Sequence, residues 1–410
     1  PAWDLSFPPP QARRALDRSL QLAPNSYIHS VEFWLRFLRC DLFDAQRAAI
    51  RMVQFLDLLA ELFGDVALER PIMLKDFSRD EIQAFRVGHQ QLLPYRDRSG
   101  RRVYACVGGL GLEVPLLTRV KILVYIILAA SEDLETQRKG LISIIWPGTN
   151  IPSGDNTSNL KFDRIMFMKR VYENLPLRMC SIHFCFASSQ MSSPFERCFR
   201  TVAILTMPHY LKRMKFHYGE SVELLYALKA FGIPAELIPL TDTGNIKTTY
   251  LKQWMKVRRI MDSVRETGDN RNQLLNFIEC PGLHDVVFRT GTSMYCHPGN
   301  VRFRCLMEQK HENPVYASKR TRGELALQII EEIEADGGRF LKWDNRSLYW
   351  TEIDQMQIHN KVLLAIRDFK YKTKAKRANL QQMGPSNKSF MFLSQGEHGC
   401  SQTSMCSRGL

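Results

Sequence analysis

The stretch MCSIHFCFAS, Met179 to Ser188, is apolar at nearly every position. A strand with one face in water alternates polar and apolar side chains. One that is apolar throughout belongs in a sheet covered on both faces. Two more such segments precede it, RVYACV from Arg102 and GLISIIWPG from Gly140. Helical patterns lie between and before them: PLLTRVKILVYIILAAS, opened by Pro115 at a tolerated first-turn position, and the stretch ending in KFDRIMFMKRVYENLP. Strands alternating with helices predict a largely parallel sheet, so the fold class is α/β.

The flanking segments divide the rest. Residues 1–26 are Pro-rich and read as loose. Over 27–68 the pattern is helical and predicts a small bundle. VEFWLRFLRC is one helix there, and FDAQRAAIRMVQFLDLLAELFG a longer one with Asp44 as N-cap and Gly64 as stop. Ala45, Ala48, Ala49, Met52, Phe55, Leu56, Leu59 and Phe63 recur at helical spacing and predict its buried stripe. The sheet region spans 69–265. It closes with an apolar helix in SPFERCFRTVAILTMP, a short basic segment YLKRMKFHYGE, and a helix ending before Gly232. Residues 245–278 read as a polar helical bridge, with 266–278 as linker. Residues 279–377 predict a small α+β domain. It has a turn-rich start, a helix from Val301, and a helix with Ala326, Ile329, Ile330 and Ile333 on one face and Gly337 as stop. A hairpin in RFLKWDNRSLYW and a closing helix complete it. The tail, 378–410, is rich in Ser, Gln and Gly and predicts disorder.

Composition excludes several classes. The longest charge-free apolar run, after Lys121 and up to Ala130, is far short of the roughly 20 residues of a membrane span. The opening PAWDLSFPPPQARR shows no signal peptide, and a start without Met reads as truncated or processed. GxGxxG and GxxxxGK[ST] do not occur, so no nucleotide-phosphate loop is expected. Ten cysteines contain no CxxC pair, and Cys280, His284, Cys296 and His297 fit no zinc spacing. Neither metal nor cofactor is expected, and scattered cysteines suit a reducing, cytoplasmic setting. The net charge of +14 fits phosphates, of nucleic acid or of anionic lipid.

The order of motifs resembles the CRAL-TRIO family, the lipid-binding fold of secretory phosphatidylinositol-transfer proteins, over about residues 27–265. FLRCDLFDAQRAA resembles the family's FLRARKFDxxKA, and DRSGRRVYAC its DkxGRPV. NLPLRMCSIHFCFASS resembles YPERLGKIYIINAP, and GIPAELIPLTDTGN resembles the closing LPxEYGG. The resemblance implies an apolar lipid cavity over the sheet, closed by a gate helix. The family's headgroup glutamate falls at Leu177, and its DxxG is WPGTN here, so a phosphatidylinositol-specific headgroup site is not implied. Residues 279–377 resemble a domain of uncharacterised function common in diatom proteins. The matches run through Asp285, Val286, Phe288 and Gly291, then HPGN from His297, Arg302 and Phe303, and GGRFLK from Gly337.

Site expectations follow. Ile182, Phe184 and Phe186 share a strand face; with Phe195, Phe199, Val202, Ile204 and Leu205 of the next helix they would line the cavity. Lys212, Arg213 and Lys215, with Lys252, Lys256, Arg258 and Arg259, would meet headgroups or the membrane surface. In the C-terminal domain His297, Asn300 (as N-cap), Arg302, Arg304 and Lys342 would form a recognition surface for a protein or nucleic-acid partner. His183 beside Cys185 lacks an orienting acid and reads as a core histidine, so no enzyme is expected. The expected function is non-catalytic binding or transfer of a phospholipid, sterol or similar ligand, peripheral to membranes. The alternative is a nucleic-acid-binding or regulatory protein, which would place it in the nucleus.

Overall fold

In the computed structural model the described residues are 13–108, 113–147, 162–188, 191, 193–206, 208–234, 237–267, 278–289, 297–311, 319–344 and 349–382. The chain divides into two compact units. One comprises Pro1–Leu283 with Leu341–Thr351, the other His284–Phe340 with Glu352–Leu410.

The first unit opens with α1 (Arg14–Leu22), α2 (Val31–Cys40), α3 (Ala45–Phe63), α4 (Val66–Glu69) and α5 (Arg79–Val87). α1 buries Ala15, Leu16 and Ser19, so the start expected to be loose is packed from there on. Asp44 caps α3 by accepting from the Arg47 amide at 3.0 Å, and Gly64 ends it at φ 72°. The α3 stripe is buried as its spacing predicts, except Ala45, which sits exposed in the first turn, and Phe63, which is half-buried at the end.

The sheet has five strands: β1 (Gln90–Arg96), β2 (Arg102–Val107), β3 (Leu141–Trp146), β4 (Met179–Phe186) and β5 (Met214–Tyr218). Their spatial order is their chain order. β1 pairs antiparallel with β2; every other pairing is parallel. All six residues of β3 are buried, as its apolar run requires. α6 (Leu116–Ala130) and α7 (Leu134–Lys139) connect β2 to β3, α8 (Phe162–Asn174) connects β3 to β4, and α9 (Pro194–Thr206) leads from β4 towards β5. α10 (Ser221–Ala230) and α11 (Thr249–Thr267) follow. One apolar cluster gathers the bundle, α6 and one sheet face, from Phe37 and Phe55 through Ile127 to Phe184. Another lies on the opposite sheet face with α10, around Val103, Ile144, Cys185 and Leu224.

Two elements differ from expectation. The basic segment before Gly219 contains β5, paired to β4 through Ile182–Met214 and Phe184–Phe216. The segment read as a polar bridge contains α11, which buries Leu251, Trp254, Met255, Val257, Arg258, Met261 and Asp262. Most of the expected linker, 268–277, lies outside the described residues.

A three-stranded sheet of β6 (Val286–Phe288), β7 (Phe340–Asp344) and β8 (Tyr349–Glu352) has the order β6-β7-β8. The second unit carries α12 (Pro298–His311), α13 (Lys319–Ala335) and α14 (Gln355–Gln382). α14 runs into the segment expected to be disordered, and residues beyond 382 lie outside the described ones. Ala326, Ile329, Ile330 and Ile333 of α13 pack with Phe303, Phe340, Ile358 and Val362 into one core. Together the chain is mixed α/β, with an N-terminal helical region, a mostly parallel sheet and a small C-terminal α+β part.

Candidate functional site

β4 and α9 bring the expected cavity residues together, but as packed side chains. Ile182, Phe184 and Phe186 are at most 1% exposed. Phe199 of α9 stands edge-on to both Phe184 and Phe186, at 5.6 and 5.8 Å between ring centroids. Phe216 stacks on Phe184 at 4.8 Å, and Tyr218 on Phe186 at 5.9 Å. Val202 is half-buried on the same helix. Ile204 and Leu205 correct the expectation: they are 38% and 57% exposed, because α9 turns them away from the sheet. The side chain of Phe195 lies outside the described residues.

The expected membrane-facing cations divide as well. Lys212, Arg213, Lys215, Lys252, Lys256 and Arg259 are exposed. Arg258 is not; it is 1% exposed. Its guanidinium donates to both carboxylate oxygens of Glu132 at 2.7 and 3.0 Å and to Glu279 at 3.2 Å. Burial works against the Glu132 charge, but Arg258 and then Arg265 outweigh it and hold the carboxyl well below its ordinary range. Arg258 is an interior tie between α11 and α6.

A cavity of about 490 Å³ opens at the ends of α2, α3 and α8. Its walls include Leu42, Arg47, Arg51, Glu173, Arg178, His209, Tyr210 and Arg213. The four guanidiniums arrive from three places in the chain. Arg47 and Arg51 stand on α3, Arg178 just precedes β4, and Arg213 ends the 3-10 turn Pro208–Arg213. Arg51 is neutralised: it forks onto Asp41 at 2.6 and 2.8 Å. Arg47 is 3.6 Å from Asp44, with both side chains largely in water, a pairing worth little. Among the described residues the Arg178 and Arg213 guanidiniums hydrogen-bond only to carbonyls, of Arg138 at 2.7 Å and of Met179 at 2.9 Å. Among the described residues no carboxylate pairs with either, and the Arg178 Nε is buried with no hydrogen-bond partner. Two uncompensated guanidiniums beside one cavity suit a phosphate or carboxylate, which accepts planar, paired hydrogen bonds. Tyr210 lies beneath Arg213, its ring centroid 5.9 Å from the guanidinium carbon. Of the four arginines of this site the sequence had marked only Arg213; it had also set His209 near the surface or a headgroup.

The histidine beside Cys185 lies across the sheet. His183 stacks on His217, with Nδ1 to Nε2 at 3.0 Å, and its Nε2 is 2.9 Å from the Ser181 hydroxyl. Burial, then the neighbouring His217, pulls His183 down to about 4. Burial pushes the Cys185 thiol far up, which favours its protonated form.

The expected recognition residues of the C-terminal part are all half-buried. α12 begins at Pro298, so Asn300 lies inside it and is not its cap. Its side-chain amide instead pairs with the β6 backbone, donating to the Val287 carbonyl and accepting from the Val287 amide, both at 2.8 Å. His297 has its Nδ1 buried without a partner, and burial lowers it to about 4 against the opposing charge of Asp285. Arg302 forms an ion pair with Asp336. Arg304 is half-buried, and so is Lys342, whose carbonyl accepts from the Thr351 hydroxyl at 3.4 Å. Asp285 receives the Arg339 amide and its guanidinium at 3.0, 3.2 and 2.8 Å. A Cβ on Gly299 would lie 2.1 Å from the Asp285 carbonyl oxygen, and one on Gly338 2.5 Å from that of His284. The HPGN and GGRF motifs therefore hold one backbone corner closed.

Among the described residues no helix is long and apolar enough to cross a membrane, and no group of three His, Cys, Asp or Glu residues is placed to hold a metal ion. A family model described as Domain of unknown function (DUF6824) matches residues 285–368. No curated protein matches the chain.

Proposed function

We propose that the first unit is a non-catalytic binding or transfer protein for a phosphate-bearing lipid, working peripherally at membranes. The observation that carries this reading is the cavity in which Arg178 and Arg213 converge without a carboxylate partner. A lipid phosphate there would accept their free N–H groups, with Arg47 at the mouth. The apolar part of the ligand would take the space between α9 and β4 now filled by Phe199, so α9 would move as a gate. The mostly parallel sheet, the helical region ahead of it and the resemblance to CRAL-TRIO proteins support the same reading. The second unit, held by the internal pairs of Asp285 and Asn300, serves as an attached interaction module.

The test is extraction of the protein purified from a eukaryotic host, with mass spectrometry of the organic phase. A phospholipid in stoichiometric amount is the expected result. Protein that carries no lipid and takes up no fluorescent phospholipid would sink the reading.

A further inference from the structure

The turn between α2 and α3 breaks a local rule. α2 ends at Cys40, and the chain reverses through two left-handed residues, Leu42 at φ 55° and Phe43 at φ 66°. The Phe43 amide closes the turn by donating to the Leu38 carbonyl at 2.6 Å. Glycine or asparagine normally takes such positions, because an L side chain there costs roughly 1–2 kcal/mol per residue. Strain of this kind is tolerated when the side chains repay it by packing. Here they do not: Leu42 is 69% exposed and Phe43 66% exposed. Two large apolar side chains are thus held in water by a backbone that disfavours them.

Their surroundings identify what covers them. Leu42 lines the same cavity as Arg47, Arg178, His209 and Arg213. The 3-10 turn on that rim exposes Leu211 at 46%, next to the exposed Lys212. Carboxylates are present too, Asp41 and Asp44 on either side of the turn and Glu173 in the cavity wall, but Asp41 is tied to Arg51, and the cations Arg47, Arg51, Arg178, Lys212 and Arg213 outnumber the three. Apolar tips in a mainly cationic surround match one surface in particular, the headgroup boundary of an anionic bilayer, where phosphates lie just above hydrocarbon. A nucleic acid would satisfy the cations and leave the apolar tips in water.

We infer that the Leu42–Phe43 turn inserts into the interface of an anionic membrane and so sets the arginine cavity at the level of the lipid phosphates. This inference rests on the lipid-binding reading of that cavity and adds the surface from which the lipid is taken.

The test uses the full chain, flotation on vesicles of phosphatidylcholine with and without phosphatidylserine, and titration with glycerol 3-phosphate as a soluble probe of the cavity. The variant is Phe43→Gly, since Phe43 does not line the cavity. Glycine suits its left-handed position, so folding is kept while the apolar group goes. Affinity for phosphatidylserine vesicles is expected to fall by about tenfold or more, with glycerol 3-phosphate binding unchanged. Flotation equal to the parent protein would overturn the insertion, and so would a shift from dimer to monomer in vesicle-free solution, which would make a second copy the occupant. A parent protein that binds glycerol 3-phosphate but no vesicle also overturns it and leaves the cavity reading intact. One that floats through the turn but ignores glycerol 3-phosphate removes the cavity reading instead.

Discussion

The Arg258 guanidinium and the Glu132 carboxylate face each other as a two-pronged pair inside the first unit, at 2.7 and 3.0 Å. Arg258 is 1% exposed and the Glu132 side chain 25%, so the guanidinium has no water to fall back on. Removing Arg258 leaves Glu132 with Arg265 alone and takes a partner from Glu279 as well. Arg258→Met should destabilise the first unit by about 3–5 kcal/mol in urea unfolding. Adding Glu132→Gln should restore part of the loss, since one under-compensated charge is then gone. A single substitution within about 0.5 kcal/mol of the parent would show that the pair is water-exposed in solution.

Two glycines of the second unit predict opposite signs from a third. Gly299→Ala and Gly338→Ala place a methyl against the carbonyl oxygens of Asp285 and His284. Each should cost about 1–3 kcal/mol or more, because the obstacle is backbone and cannot rotate away. Gly323 stands inside α13 with nothing within 4 Å of its Cβ position. Gly323→Ala should therefore stabilise that helix, by about 0.5–1 kcal/mol. Calorimetry on the three variants reads both signs.

Asn300→Ala removes the donor and the acceptor that serve both backbone groups of Val287. Two buried peptide groups lose their partners, at about 1–3 kcal/mol each. Asn300→Asp should be nearly as costly, because a carboxylate facing the Val287 carbonyl repels it. Amide hydrogen exchange at Val287 is the local readout; protection there should fall in both variants.

Acid should destabilise the protein earlier than carboxylate titration alone would. Burial holds His183 at about 4 against its ordinary 6.5, and His297 is also at about 4. A depressed native value means that the unfolded chain takes the proton first. The stabilising difference is whole above pH 6.5 and is lost as pH falls from there to 4. For His183 the full loss is roughly 3 kcal/mol. His183→Asn should flatten the pH dependence of the first unit across that window, measured as melting temperature against pH. An unchanged slope would contradict the buried, neutral pair with His217.

What the sequence made legible follows the strength of its periodicity. β2, β3 and β4 are continuous apolar runs, and the long α3 stripe carries its own cap in Asp44. β5 escaped because MKFHY is short and basic, and its strand character comes from pairing with β4. α11 was read as polar because Lys and Arg dominate it. Its buried stripe contains Arg258 and Asp262 themselves, whose partners Glu132 and the Leu74 amide are remote in sequence. The arginine cavity had no spacing to find, since Arg47, Arg178 and Arg213 meet only after the sheet has formed. Asn300 was read as a cap because it follows Pro-Gly, a turn signal; Pro298 instead opens the helix, and the amide reaches across to β6.

The most direct measurement of the lipid-binding account is equilibrium binding of a fluorescent phospholipid to the parent protein and to Arg178→Gln with Arg213→Gln. Each lost charged hydrogen bond is worth about 1.5–3 kcal/mol, so affinity should drop at least about tenfold. Lys252→Gln with Lys256→Gln, which changes two exposed cations outside the cavity lining, should bind like the parent in the same assay. Equal affinity of the parent and the arginine variant would contradict the assignment of the lipid phosphate to this cavity.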